Sequence, residues 1–295
     1  MQAGRNHLAT IVFASLILAF SGGPVLLSLI GSLVPDRILL DSSKSLFAEG
    51  LNFEGYRYVF TGELPASYLA ENANRAMISD AARQVPYSLV NSGIIALSSM
   101  ILNLLLGAPA AFVFARYVFP GKKVSFLFLI LSPLVPAIAL ITPIYIMLQS
   151  FGLVGTRTGI ILVHTAKALP FTVLILSVFF RKMPAELFEA AVLDHCSRFQ
   201  TFVRIALPLA LPSIGATGLF AFMLSYSEFM FSMILSGDAD TRPVSVVMAA
   251  LARNTDVSWS LLNTAIFIAI VPTLVLVVLV WRFVVEGLLS GAVKG

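Results

Sequence analysis

Three ionisable side chains stand inside otherwise apolar runs: His164 and Lys167 within residues 158–180, and Glu228 near the far end of residues 207–235. A charge at the centre of a bilayer costs at least about 2.5 kcal/mol, so such groups pair, face water or meet a passing ligand. His164 and Lys167 are three residues apart and share one face of a helix. Two uses of Lys167 stay open. It forms a structural ion pair with Glu228, or it lines a pathway and meets an anionic group, which favours an acidic oligosaccharide such as a uronate. Tyr226, two residues before Glu228, is a further pathway candidate. Other chemistries find little support. His7, His164 and His195 are too far apart to suggest a zinc site, and the lone Cys196 excludes an internal disulfide or a cysteine-based metal cluster. No GxxxxGK[ST] occurs; the nearest approach, Pro120-Gly121-Lys122-Lys123, lacks the preceding glycine, so the chain has no P-loop of its own for ATP. The intramembrane polar residues are too few to converge on a catalytic centre, and the chain is not expected to be an enzyme.

A second constellation lies in the polar but patterned interval 189–208. Ala190, Leu193, Phe199, Phe202 and Val203 recur at helical spacing, while Glu189, Asp194, Arg198 and Arg204 face elsewhere. The pattern predicts a short helix, a turn and a second helix leading into an apolar span. Glu189 opens the first helix, where the positive end of the dipole favours a carboxylate.

These residues must be carried by membrane helices. Hydrophobic residues make up 58% of the 295 and charged residues only 12%, against roughly 25% charged in soluble domains. Mean hydropathy is +0.94. Six spans are expected: residues 8–34, 85–115, 124–148, 158–180, 207–235 and 261–281. The first could alternatively be a cleaved leader with Arg5 as its basic start and Ser21-Gly22-Gly23 as the cleavage region, but its apolar run continues well past those residues. Pro133, Pro136 and Pro143 crowd the third span, which is either a bent packing helix or a broken one lining a cavity. Residues 36–84 form a loop with some helix, carrying seven acidic and five basic residues, and its aromatic cluster Phe53, Tyr56, Tyr58 and Phe60 predicts packing against the membrane domain.

An even number of spans puts both termini on one side. The short segments on that side hold Arg5, Arg116, Lys122, Lys123, Arg181, Lys182, Arg198, Arg204, Arg282 and Lys294; the two opposite hold only Arg157, Arg242 and Arg253. The excess makes the termini and the interval 181–205 cytoplasmic and the loop 36–84 external.

The order Glu189-Ala190-Ala191, a turn residue, then nine residues and Ile205-x-Leu207-Pro208 resembles the EAA loop of bacterial ABC importer permeases. Such loops usually carry Gly at the turn where this chain has His195. Asn91-Ser92, the 52–60 stretch, Phe119-Pro120-Gly121-Lys122-Lys123 and Ser227-Glu228-Phe229, where Asn usually precedes the Glu, are similar to features of carbohydrate-importer permeases. The end, residues 287–295, closely resembles the tail of maltose-type permeases. The resemblance covers essentially the whole chain. It implies an all-α permease in a bacterial cytoplasmic membrane, one domain over residues 1–295, with six helices and a cytoplasmic coupling helix in the 181–205 loop. It implies a non-catalytic subunit that moves a carbohydrate by alternating access. Glu189, Ala190, Ala191, Asp194, His195, Arg198, Phe199 and Phe202 would engage the ATPase, Phe199, Phe202 and Val203 by anchoring the second helix. The implied partners are a second, different permease, two ATPase subunits holding ATP and Mg, a solute-binding protein and membrane lipid, with no nucleic acid and no cofactor in this chain.

Rival classes fit less well. A secondary transporter would more often show internal repeats and several intramembrane carboxylates, whereas only Glu228 qualifies. A channel would need a filter loop or charge ring, and neither is evident.

Overall fold

The computed structural model describes residues 2–41, 43, 45, 46, 50–63, 80–253 and 258–292, and among them every regular element is helical. In chain order these are α1 (Gln2–Ser32), α2 (Asp36–Leu39), α3 (Glu54–Thr61), α4 (Asp80–Arg83), α5 (Val85–Arg116), α6 (Lys122–Leu131), α7 (Ala137–Ser150) and α8 (Arg157–Lys182). There follow α9 (Glu186–Leu193), α10 (Arg198–Thr201), a π-helical segment (Phe202–Ala206), α11 (Leu207–Leu209), α12 (Leu211–Tyr226), α13 (Met230–Leu235), α14 (Val244–Arg253) and α15 (Trp259–Ala292).

Four helices are long and apolar enough to cross a membrane unbroken: Thr10–Ser32, Val85–Arg116, Arg157–Lys182 and Trp259–Trp281. Two bent helix pairs pass the same test together, which makes up to six when each pair is taken as one span. The third span, expected as one helix over 124–148, is α6 and α7 meeting at 103°. Pro133 and Pro136 fall three residues apart there, and Val135 is extended (φ −67°, ψ 124°), as the residue before a proline tends to be. The fifth, expected over 207–235, turns by 80° between Leu209 and Leu211 and stops at Tyr226, with α13 as a separate helix after Ser227–Phe229. Pro208 has no N–H to donate and its ring crowds the carbonyl four residues back. The chain meets this by winding residues 202–206 as a π-helix, and Pro212 then starts α12.

The chain divides into two compact units, Met1–Tyr87 with Val247–Val271, and Ser88–Val246 with Pro272–Gly295. In the first, α1 exposes Ile11, Phe13, Leu16, Leu18 and Phe20, the surface expected of a helix in lipid. Its far end is tied down: Ser32 Oγ lies 2.7 Å from Tyr56 Oη, and the Asp36 carboxylate accepts the N–H groups of Trp259 (3.1 Å) and Ser260 (2.7 Å), capping the start of α15. Of the aromatic residues in the loop after α1, Tyr58 is buried, as are Val34, Ile38 and Val59, whereas Phe53 and Phe60 are exposed.

In the second unit α8 packs along α12 and α5. Thr172 donates to Asn103 Oδ1 (2.9 Å) and Asn103 donates to the Thr165 carbonyl (3.0 Å), so the polar atoms buried between α5 and α8 satisfy each other. Asn91 and Ser92 hold the loop before α14: Asn91 donates to the carbonyls of Ala239 (2.9 Å) and Arg242 (3.1 Å), and Ser92 Oγ accepts from Val244 N (2.8 Å).

Candidate functional site

Two places in the second unit collect the side chains singled out by the sequence. The first is the segment from α9 to α10. Glu186 and Glu189 lie in the first turn of α9, at the positive end of its dipole. The helix closes through two bonds, His195 N to Val192 O (3.0 Å) and Cys196 N to Ala191 O (2.9 Å), with His195 at φ 55°. This is the Schellman closure, in which the residue after the cap takes the left-handed conformation that glycine adopts most cheaply. Among the described residues His195 is the one non-glycine with positive φ. The chain then restarts at a capping box the sequence reading overlooked: Gln200 N donates to Ser197 Oγ (3.2 Å) and Ser197 N to Gln200 Oε1 (2.8 Å). Ser-x-x-Gln at 197–200 was the legible signal.

The anchoring of this segment differs from expectation. Phe202 packs on Phe112 (5.2 Å between ring centroids) and Phe180 (6.4 Å), but Phe199 is 73% exposed and Val203 38%. Phe199 and Val203, four residues apart, share an outward face, while Phe202 between them turns inward onto the bundle. Ala191 is buried within this chain, and only Ala190 of the pair faces outward. Two arginines complete the frame. The Arg116 guanidinium lies 4.0 Å from the centroid of the Phe188 ring and donates to the Met183 carbonyl; Arg198 lies 5.0 Å from that of Tyr117. With Glu189 and Phe112 they line a cavity of about 800 Å³. Asp194 ends α9 with its side chain exposed.

The second place gathers His164, Lys167 and Glu228. Lys167 Nζ is 3.2 Å from Glu228 Oε1, and His164 Nε2 is 3.4 Å from Oε2. Glu228 also accepts the N–H groups of Phe231 (3.3 Å) and Ser232 (3.0 Å), capping α13. His164 is fixed by the hydroxyls of Ser225 (2.8 Å) and Ser232 (3.1 Å), two partners that nothing in their own sequence surroundings marked out. The His164 and Glu228 side chains are buried, whereas that of Lys167 is 43% exposed. Lys167 lies on the wall of a second cavity, of about 770 Å³, whose other walls come from the break between α6 and α7 and from Phe171, Leu224 and Phe231. Tyr226 stacks on Phe222 (5.5 Å, 18°) and is not among the residues lining that cavity. The expected tail, residues 287–295, lies in part outside the described residues, at 293–295.

Residues 103–288 match the family described as "Binding-protein-dependent transport system inner membrane component". The chain is 34% identical over 207 residues to the diacetylchitobiose uptake system permease of Streptomyces coelicolor, spanning 70% of this chain and 68% of that one. It is 31% identical over 287 residues to the trehalose transport system permease of Mycobacterium tuberculosis, spanning 96% of each. Among solved structures it superposes with a TM-score of 0.74, at 16% identity, on a chain of a bacterial ABC transporter involved in the import of the acidic polysaccharide alginate, over 96% of this chain and 98% of the other. At that identity the likeness speaks for the fold alone.

Proposed function

The chain belongs to the family of binding-protein-dependent transport system inner membrane components, and from that premise we propose that it is the permease subunit of an ATP-driven carbohydrate importer. It forms half of a translocation pathway with a second, different permease chain. Two ATPase subunits bind ATP and Mg, an external solute-binding protein delivers the sugar, and both termini face the cytoplasm. Carbohydrate as cargo is supported by relatives that are permeases of diacetylchitobiose and trehalose uptake. An acidic sugar is favoured by the half-exposed cation of Lys167 on a cavity wall.

The observation that carries the coupling role is the surface of α9 and α10. Val192 is 71% exposed, Leu193 80% and Phe199 73%, within a segment that also holds Glu189, Asp194 and Arg198 and lies between spans. Large apolar side chains left open on a charged segment mark a surface that a partner covers. The Schellman closure and the capping box stiffen that segment, while Phe202 ties its end to Phe112 on α5 and Phe180 on α8. A partner that moves α9 therefore moves the start of the bent fifth crossing as one body.

Reconstitution into vesicles with the ATPase, the second permease and the binding protein tests this reading. Uptake should require ATP, and loaded binding protein should stimulate hydrolysis. Uptake driven by a proton or sodium gradient without ATP would assign a secondary transporter instead.

A further inference from the structure

We propose that Glu228 tunes the specificity of the Lys167 cavity by competing for its cation: a substrate carboxylate binds Lys167 by replacing Glu228 there, whereas a neutral sugar leaves the pair closed and draws nothing from it. The proposal rests on the carbohydrate-importer reading and deepens it.

The two partners of this ion pair are unequally placed. Glu228 is held by groups other than Lys167. Its Oε2 takes Ser232 N at 3.0 Å and lies 3.4 Å from His164 Nε2, and its Oε1 takes Phe231 N at 3.3 Å as well as Lys167. Removing the lysine leaves the carboxylate as the cap of α13, with both oxygens still accepting hydrogen bonds. Lys167 is different. Among the described residues its amine has one carboxylate partner, its side chain is 43% exposed, and the residue lines a cavity wall. The remaining contact is weak, with Nζ 5.8 Å from the centroid of the Phe231 ring. Lys167 is therefore the mobile member and Glu228 the fixed one.

The cavity suits the ligand that would take the lysine over. Its volume of about 770 Å³ falls within the roughly 300–1,000 Å³ of small-molecule sites. Phe171 and Phe231 offer flat apolar faces for sugar rings, and Lys167 is the charged residue among those that line it. A neutral sugar gains nothing from Lys167 while the pair stays closed. A uronate exchanges one carboxylate for another at the same amine, so Lys167 stays paired, while the charge that the ligand adds leaves Glu228 to Phe231 N, Ser232 N and His164.

The test uses the full complex in vesicles of zwitterionic lipid, so that no lipid anion competes, with a uronate trisaccharide and its neutral, carboxyl-reduced counterpart. The ratio of their half-maximal uptake concentrations is the readout. Glu228→Gln frees the cation and should raise the preference for the uronate about fivefold, the worth of a partly exposed ion pair. Lys167→Met should abolish the preference, and Lys167→Arg should keep it. An unchanged preference in Glu228→Gln, with uptake intact, overturns the exchange even if Lys167→Met still loses the uronate. Absence of ATP-driven uptake of either sugar by the wild-type complex overturns the importer reading itself. If Glu228→Gln disturbs α13 and does not assemble, acylation of Lys167 in the wild-type complex decides. The uronate must protect the amine and its neutral counterpart must not; equal acylation refutes the proposal.

Discussion

Replacing His195 by glycine should tighten the turn between α9 and α10. His195 holds φ 55° so that its own N–H and that of Cys196 can close on Val192 and Ala191. The left-handed conformation costs an L-residue about 1–2 kcal/mol, a cost glycine escapes. Glycine in turn gives the open loop more freedom, worth about 0.5–1 kcal/mol. The difference leaves about 1 kcal/mol in favour of the closed turn, which slows hydrogen exchange by about fivefold. Exchange measured by mass spectrometry on the peptide covering residues 186–201, in the assembled complex, should register it at the two closing amides. His195→Val should exchange faster than wild type, because a β-branched residue suits positive φ least. Stimulated ATP hydrolysis should survive His195→Gly, since the backbone path is unchanged. Unchanged or faster exchange in the glycine variant would refute the reasoning: the turn would then not be strained at His195.

Glu189→Lys reverses the charge in the first turn of α9; the protein should reach the membrane and assemble, but binding-protein-stimulated ATP hydrolysis and uptake should both collapse, and near wild-type rates would remove Glu189 from coupling. Phe202→Ala should destabilise the solubilised complex by about 2 kcal/mol, below the usual range for a fully buried phenylalanine because Phe202 is only half-buried, as a lowered thermal midpoint would register. Deletion of residues 290–295 should weaken assembly or coupling while leaving insertion intact, because the sixth span is complete at Trp281; unchanged co-purification and stimulated hydrolysis would discard that role.

Much of this architecture was legible in the sequence for plain physical reasons. Apolar runs long enough to cross a bilayer located the spans, and the likeness to the EAA loop placed the turn at His195. The breaks were not legible from prolines alone. Pro24, Pro109, Pro143, Pro170 and Pro272 all lie within continuous helices. The chain breaks where two prolines fall three or four residues apart, at 133 and 136 and at 208 and 212, and successive backbone bonds are lost together. Helical spacing alone could not say which side of the second helix meets the bundle: Phe202 packs inward, while Phe199 and Val203 lie on the open side. Lys167 and Glu228 could be paired by counting depth along their spans. Ser225 and Ser232 could not be chosen as partners of His164, since serines are scattered through these apolar helices and only the folded chain selects two of them.

Docking of an ATPase on the segment from Glu186 to Thr201 is tested most directly through Cys196, the single cysteine of the chain, which lines the cavity beside Arg116 and Arg198. A membrane-impermeant maleimide should label it in inverted vesicles, which present the cytoplasmic face, and not in right-side-out ones. Adding the ATPase subunit should then slow the labelling several-fold. Labelling confined to right-side-out vesicles would contradict the orientation, and a rate that the ATPase leaves unchanged would contradict the coupling role proposed for this segment.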